Sequence, residues 1–505
     1  MPRRLRRLPL PVATVLMVAG LLTAGPAAGS GGASTLTPRA QVQAFHDRLH
    51  AAMVARGLHP QPAIPATRNT AKKGPNAFRT AAHVKRISQD TLEAQPGSEP
   101  DTQIEPDIAV DPNNPNDVVA VFQQGRFPGG GSVDPGWAAS LDGGKTWATG
   151  NLPKLTKAVG GPFDRASDPA VAFGPDGSVY ACTLVFNSGD NRNGVAVQRS
   201  DDGGITWKKP VFAQDDMTGG DDKNWITVDT YPSSPHVGRI YVAWDLFTGQ
   251  GQPIVMRWSD DRGVTWSPLK TVSAPTSQGI GARPVVQPNG DLTIVYEAFS
   301  RGASIVSQTS HDGGANFDDP MTVATDMASD PPDQRAGSDL PSVAVDPTNG
   351  IIDVVWGDTR FRSDGLMDAV ISRSKDGGKT WGSVARVSQD PVNDHLDHLT
   401  PAVDANSGFV HVTYLTRSKA GGFFSMSLNL RYIVSADNGK TFGGELVVGP
   451  TIKLKWSAVA GGHFLGDYMG VAATPDAVHP VWCRSSRPPI AETYHQTTWS
   501  ATISR

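Results

Sequence analysis

Apolar residues along this chain fall in short runs. Val118 to Phe122, Val179 to Phe186, Ile240 to Trp244, Leu292 to Tyr296, Ile352 to Trp356, Val410 to Leu415 and Val478 to Cys483 are mostly apolar and are followed or preceded by Gly, Pro, Asn or Asp. Runs of that length with turn residues between them predict β-strands joined by tight turns. One segment has a different period. Val42, Phe45, Leu49, Met53 and Val54 lie mostly three to four residues apart within residues 38–58, which predicts a helix. The Pro-rich polar stretch beyond it, up to Pro75, reads as linker.

The strand pattern repeats. An octapeptide S-x-D-x-G-x-T-W/F occurs at residues 140–147, 200–207, 259–266, 310–317, 374–381 and 435–442, so its period is about 60 residues. Its Ser and Asp hold a tight turn by bonding nearby backbone N–H groups. Its Gly supplies a positive φ, and the aromatic starts the next strand. Asp142, Asp202, Asp261, Asp312, Asp376 and Asp437 are therefore read as structural clamps.

A second repeat interleaves with the first. Hairpins with a D-P-N or P-D-G type turn occupy residues 105–123, 168–184, 224–245, 283–297, 340–357, 400–415 and 467–483. Seven hairpins against six octapeptides imply four-stranded units, A to D, with the octapeptide at each C–D turn. The last unit ends at strand C, in residues 495–503, and its strand D is expected from Val84 to Gln89 near the other end of the chain. Closing the ring in this way removes exposed sheet edges. The expected fold is an all-β, seven-bladed β-propeller closed by an N-terminal strand, with a six-bladed ring plus an extra hairpin as the alternative. The expected organisation is a signal peptide over 1–28, a helical and linker extension over 29–83, and the propeller over 84–505.

Composition agrees with this pattern and narrows the function. Fifty-four Gly and 40 Pro suit many turns, and two Cys exclude a disulfide scaffold or a four-cysteine zinc site. A net charge of −4 argues against nucleic-acid binding. Arg3, Arg4, Arg6 and Arg7 precede an apolar run over 12–22 and small residues over 24–29, the pattern of an export signal. The mature protein is expected to be secreted, monomeric and free of membrane.

The octapeptide resembles the Asp-box, or BNR repeat, of sialidase-like propellers. Topology places the A–B and C–D turns on one face of the ring. The A-strand starts and B-strand ends share the other, where convergent polar residues mark a candidate site. The resemblance implies a glycosidase of the exo-α-sialidase type, acting on extracellular glycans or glycoconjugates with acidic sugars. It implies Tyr468 as nucleophile, Glu297 as its base and Asp168 as acid. It implies Arg283, Arg360, Arg484 and Arg126 as clamps for a substrate carboxylate, since Arg bonds carboxylate in bidentate fashion. Glu105-Pro106-Asp107-Ile108 stands where the family has its F/Y-R-I-P signature, and Arg283-Pro284 is the nearest match. A non-catalytic glycan- or protein-binding propeller and a polysaccharide lyase are the alternatives.

No cofactor is implied. Residues 221–224 (DDKN) offer oxygen ligands for Ca²⁺, and His395 and His398 lie near Asp394 and Asp397, but neither segment makes a full ligand set. There is no G-x-S-x-G, H-E-x-x-H or phosphate-loop motif.

Overall fold

The computed structural model describes Phe78 and residues 80–299, 302–488 and 495–505. The signal peptide, helix and linker expected before residue 78 lie outside the described residues. Among those residues, regular structure is β-strand apart from short 3-10 turns such as Lys157–Val159 and Leu454–Trp456. No described helix is long and apolar enough to cross a membrane.

The strands pair antiparallel in fours. The first group orders Glu99–Val110, Val118–Arg126, Ser132–Ser140 and Ala148–Asn151. Later groups start from the inner strands Arg165–Phe173, Gly220–Val228, Gly279–Val286, Ser342–Val345 and Leu396–Asn406. The last orders Gly470–Ala473, Ala477–Ser485 and Gln496–Ser504, and its fourth strand is Thr80–Arg86. Each inner strand lies against the next, and Gly470–Ala473 lies against Glu99–Val110. This closed radial arrangement is a β-propeller. The closing strand starts at Thr80, earlier than the expected Val84, and Ile87 N still donates to Thr498 O at 2.9 Å.

One aromatic from each second strand but that of the second group fills the seam between groups. Phe122, Trp244, Trp356, Tyr414 and Trp482 are at most 1% exposed, and Tyr296 is 2% exposed. Trp244 packs on Ala170 and Cys182 of the preceding group, and Tyr414 on Val355 of its own predecessor. Rings of this size supply most of the apolar burial that holds neighbouring sheets face to face.

The octapeptide turns behave alike. In the first, Ser140 Oγ donates to Asp142 Oδ1 at 2.8 Å and accepts from Gly144 N at 2.8 Å. Asp142 also accepts from Thr146 N at 2.8 Å and from the Thr146 hydroxyl at 2.6 Å. Where Asn316 replaces that Thr, its amide donates to Asp312 Oδ2 at 2.8 Å. These bonds hold Asp142, Asp261 and Asp312 down to about 2, and Asp202, Asp376 and Asp437 below the usual carboxylate range. A depressed folded pKa gives stability that is complete above the unfolded value of about 3.9 and is lost as pH falls through the folded one. Urea midpoints should therefore drop steeply between about pH 4 and pH 2. Asp261→Asn should lower the midpoint at neutral pH and leave it nearly unchanged at about pH 2.

The inner strands carry a shared irregularity. Their register with the second strand shifts between Ile104 and Asp107, Ser167 and Ala170, Asp222 and Trp225, Ile280 and Arg283, and Leu399 and Ala402. Within each shift one residue has positive φ: Glu105 (53°), Asp168 (48°), Lys223 (47°), Gly281 (71°) and Thr400 (50°). Such bulges re-aim side chains. For a residue with a Cβ the conformation costs of order 1–3 kcal/mol. Glu105, Asp168 and Lys223 meet through it.

Candidate functional site

Three of those bulge residues and the segment before Tyr468 build a buried ionic cluster. Lys223 Nζ lies 2.6 Å from Asp467 Oδ2, 3.4 Å from Glu105 Oε1 and 3.7 Å from Asp168 Oδ1. Arg335 binds Asp467 from above, with Nε 2.7 Å from Oδ1. Its side chain is 25% exposed, whereas those of Glu105, Asp168, Lys223 and Asp467 are at most 8% exposed. Arg335 comes from a small sheet of Gln334–Arg335, His463–Phe464 and Ala458–Val459, built from connecting segments.

The charges order the proton affinities. Arg335 and Lys223 overcome burial and hold the Asp467 carboxyl far below the usual range. Burial pushes Asp168 well up, and Glu105, hydrogen-bonded to it, adds to the rise against the opposing charge of Lys223. Two carboxyls in contact do not both ionise readily, which is part of the rise at Asp168. The acids outweigh burial at Lys223 and keep its ammonium charged.

Tyr468 adjoins the cluster. Its hydroxyl donates to Pro169 O at 2.9 Å, and its ring meets Trp225 edge-on at 5.2 Å between centroids. Burial and the charges of Glu105, Asp168 and Asp107 push the phenol well above its usual range. The expected partner Glu297 lies elsewhere. It is fully buried beside Asp326 and Asp339, and burial with their charges pushes it well up. The acids beside Tyr468 come from the first and second inner strands, whereas Glu297 ends a strand of the fourth group.

The expected arginine clamp does not assemble at one point. Arg126 pairs with Glu99 at 3.1 Å, and Arg360 forks onto Asp358 at 2.9 and 2.7 Å. Arg484 donates to Thr451 O at 3.2 Å and covers the Trp499 ring. Arg283 lies over Trp225, 3.2 Å from its ring centroid, and 5.3 Å from that of Tyr468. Register explains this last displacement. Arg283 pairs with Val295 as Asp107 pairs with Val121 and Trp225 with Ala243, two positions beyond the bulge. All three line a cavity of about 730 Å³ that opens among the A–B turns, on the other face.

Motif reading missed Lys223 and Arg335. Aligning the third hairpin on Lys223, one residue before Asn224, would have put it level with Glu105 and Asp168. Arg335 had no signal, since it lies in a connecting segment. Residues 221–224 disperse: Asp221 accepts from Trp244 Nε1 at 2.7 Å, Lys223 enters the cluster, and Asn224 donates to Cys182 Sγ at 3.1 Å. His398 is buried against Met367 O and Asp390, while the His395 side chain is 65% exposed. Among the described residues no group of three or more His, Cys, Asp or Glu is arranged to hold a metal ion.

Comparison with known proteins agrees with the motif. The BNR/Asp-box repeat family matches residues 198–209. A xyloglucanase from Paenibacillus sp. is 29% identical over 256 residues, 46% of this chain, and the chain spans 23% of that protein's length. Among solved structures, the Hadza microbial sialidase Hz136 is 17% identical, with 73% of each chain covered and a TM-score of 0.44. The phage phi92 endosialidase is 10% identical, with 85% of this chain and 69% of the other covered and a TM-score of 0.47. A Penicillium chrysogenum α-L-arabinanase is 15% identical, with 66% and 94% covered and a TM-score of 0.45. The chain is similar to sialidase-like Asp-box propellers.

Proposed function

We propose that this protein is a secreted glycoside hydrolase acting on extracellular glycans, built on a ring of seven four-stranded blades. Its substrate is a glycan end bearing an acidic sugar. The observation that supports this most is the Asp168–Glu105 pair next to Tyr468. Glycoside hydrolysis needs one group that holds a proton for the leaving oxygen and another that attacks or activates water. An Asp168 carboxyl pushed well above its usual range, with Glu105 and a phenol beside it and Arg335 reaching solvent above, has those parts. In this reading Asp168 is the acid, Tyr468 the nucleophile and Glu105 its base, in the role expected of Glu297. The ring count rests on successive contacts among the inner strands, and secretion on the N-terminal sequence.

The test is a panel of fluorogenic glycosides, sialosides and arabinofuranosides included, with product analysis that separates hydrolysis from elimination. Release of one sugar is expected, and Asp168→Asn should reduce it by about 10²-fold or more. Unchanged turnover of a sialoside by Tyr468→Phe rules out the tyrosine as nucleophile. No release across the panel leaves the second reading, a non-catalytic glycan-binding ring, which the burial of Tyr468 and Asp168 favours.

A further inference from the structure

On the face opposite the ionic cluster, the seven inner strands surround a cavity of about 730 Å³, the volume of a small-molecule site. Its floor is formed by Trp225, Arg283 and Asp107. Arg283 is 8% exposed and stacks on Trp225, and among the described residues its guanidinium has no hydrogen bond or ion pair. A guanidinium carries five donors in a planar fork, and buried donors are normally satisfied. Asp107 attracts it through space without reaching it.

Two of the four acids that line the cavity, Asp107 and Asp404, are already engaged. Asp107 Oδ2 accepts from Val171 N at 2.9 Å. Asp404 accepts from Ala405 N at 2.8 Å and from Ala473 N at 2.6 Å. Both tie one inner strand to the next. These bonds hold both carboxyls in the strand framework, and neither pairs with Arg283.

We propose that this cavity binds a small carboxylic acid of sugar size, whose carboxylate takes the open fork of Arg283. A single negative charge suits the place. A planar carboxylate matches the guanidinium edge, whereas a dianion would also meet Asp107 and Asp404. The walls are mixed, with Phe173 and Val343 among the apolar members and Thr230 and Asn406 at the mouth. Such a lining accepts a ring that carries hydroxyls.

The charges around the anchor set its pH response. Asp107 faces it from the first inner strand, Asp404 lines the cavity from the sixth, with Asp346 near Asp404, and Asp111 and Asp476 line it at the A–B turns. Tyr231 is at the rim, and Tyr468 and Lys223 lie behind the floor. Burial raises Asp107 to about 6 and Asp404 to about 7, while Arg283, lowered to about 10, stays charged at neutral pH. Acid pH removes negative charge and leaves the anchor, so carboxylate affinity rises as pH falls from about 8 to about 6.

The test is binding of D-glucuronate, with D-glucose as the neutral control, by saturation-transfer NMR and calorimetry on the full chain. Glucuronate binding is expected, tighter at the lower pH, with glucose at background. Arg283→Met, which keeps the stem on Trp225, should weaken binding at least tenfold, and Arg283→Lys by less. Thr230→Trp, which narrows the mouth without touching the anchor, should weaken it as well and decides the matter if the Arg283 variants fail to fold. No glucuronate binding, equal binding of glucose, or binding unchanged in Thr230→Trp and in every Arg283 variant that folds overturns the proposal.

Discussion

A chain that starts at Gln89 should lose most of its folding stability relative to one that starts at Phe78. The difference is Phe78, which is 1% exposed, Arg79, the strand Thr80–Arg86 and the two residues after it. That strand runs antiparallel to Gln496–Ser504, with Thr80 opposite Ser504 and Arg86 opposite Trp499. Ile87, 3% exposed, packs in the seam with Ile108, Phe122 and Val481. Ser88 Oγ accepts from Thr498 N at 2.9 Å and donates to Gln103 at 3.0 Å, tying the last group to the first. Burial of Ile87 alone contributes about 1.5–3 kcal/mol. Each hydrogen bond adds a net of about 0.5–1.5 kcal/mol. Together they approach the whole stability of a domain, about 5–15 kcal/mol. The truncated chain also exposes Gln496–Ser504 as an edge ready to pair with another chain. Its urea midpoint should fall sharply and its elution should shift to oligomers. A synthetic peptide of residues 80–88 should restore both. Equal midpoints for the two chains would show that ring closure adds no stability.

Ring closure was legible because repetition made it so. Six copies of one turn and seven of one hairpin leave a strand missing at one end, and only the segment before residue 90 has the sequence of a fourth strand. The site was less legible, for a reason of register. The bulge inserts residues between the paired positions of the inner strand, so counting from the proline misplaces the positions around it. Arg283-Pro284 looks like Asp168-Pro169 in sequence, yet the residue level with Asp168 is Gly281, and Arg283 belongs to the layer of Asp107 and Trp225. A shift of two residues puts the side chain one layer on, between the cavity and the Tyr468 ring. Tyr468 and its acidic neighbours Glu105 and Asp168 were all among the strand-start residues that the hairpin repeat marks. Their meeting with Lys223 depends on positive φ at three non-glycine residues, which no composition rule anticipates. The Arg335 sheet depends on two long connections meeting in space.

Lys223→Met should destabilise the protein by about 3–5 kcal/mol, the range for breaking a buried ion pair from one side. The lysine is the one cation that Glu105, Asp168 and Asp467 share, and its side chain is 8% exposed. Methionine fills similar volume, so the loss reports charge more than packing. Arg335 still neutralises Asp467 in the variant, which leaves Glu105 and Asp168 as the uncompensated pair. The pH dependence has a definite sign. Asp168 has a folded pKa above its unfolded one, so its contribution favours folding when protonated and is lost as pH rises. Removing Lys223 raises that folded pKa further. The penalty of Lys223→Met should therefore grow as pH rises. Adding Glu105→Gln removes one carboxyl of that pair and supplies a donor to Asp168. The double variant should be more stable than Lys223→Met at neutral pH, with a coupling above about 1 kcal/mol by a double-mutant cycle in urea. A loss below about 1 kcal/mol at neutral pH, or a penalty that does not change with pH, would mean that these acids do not depend on Lys223 for their charge.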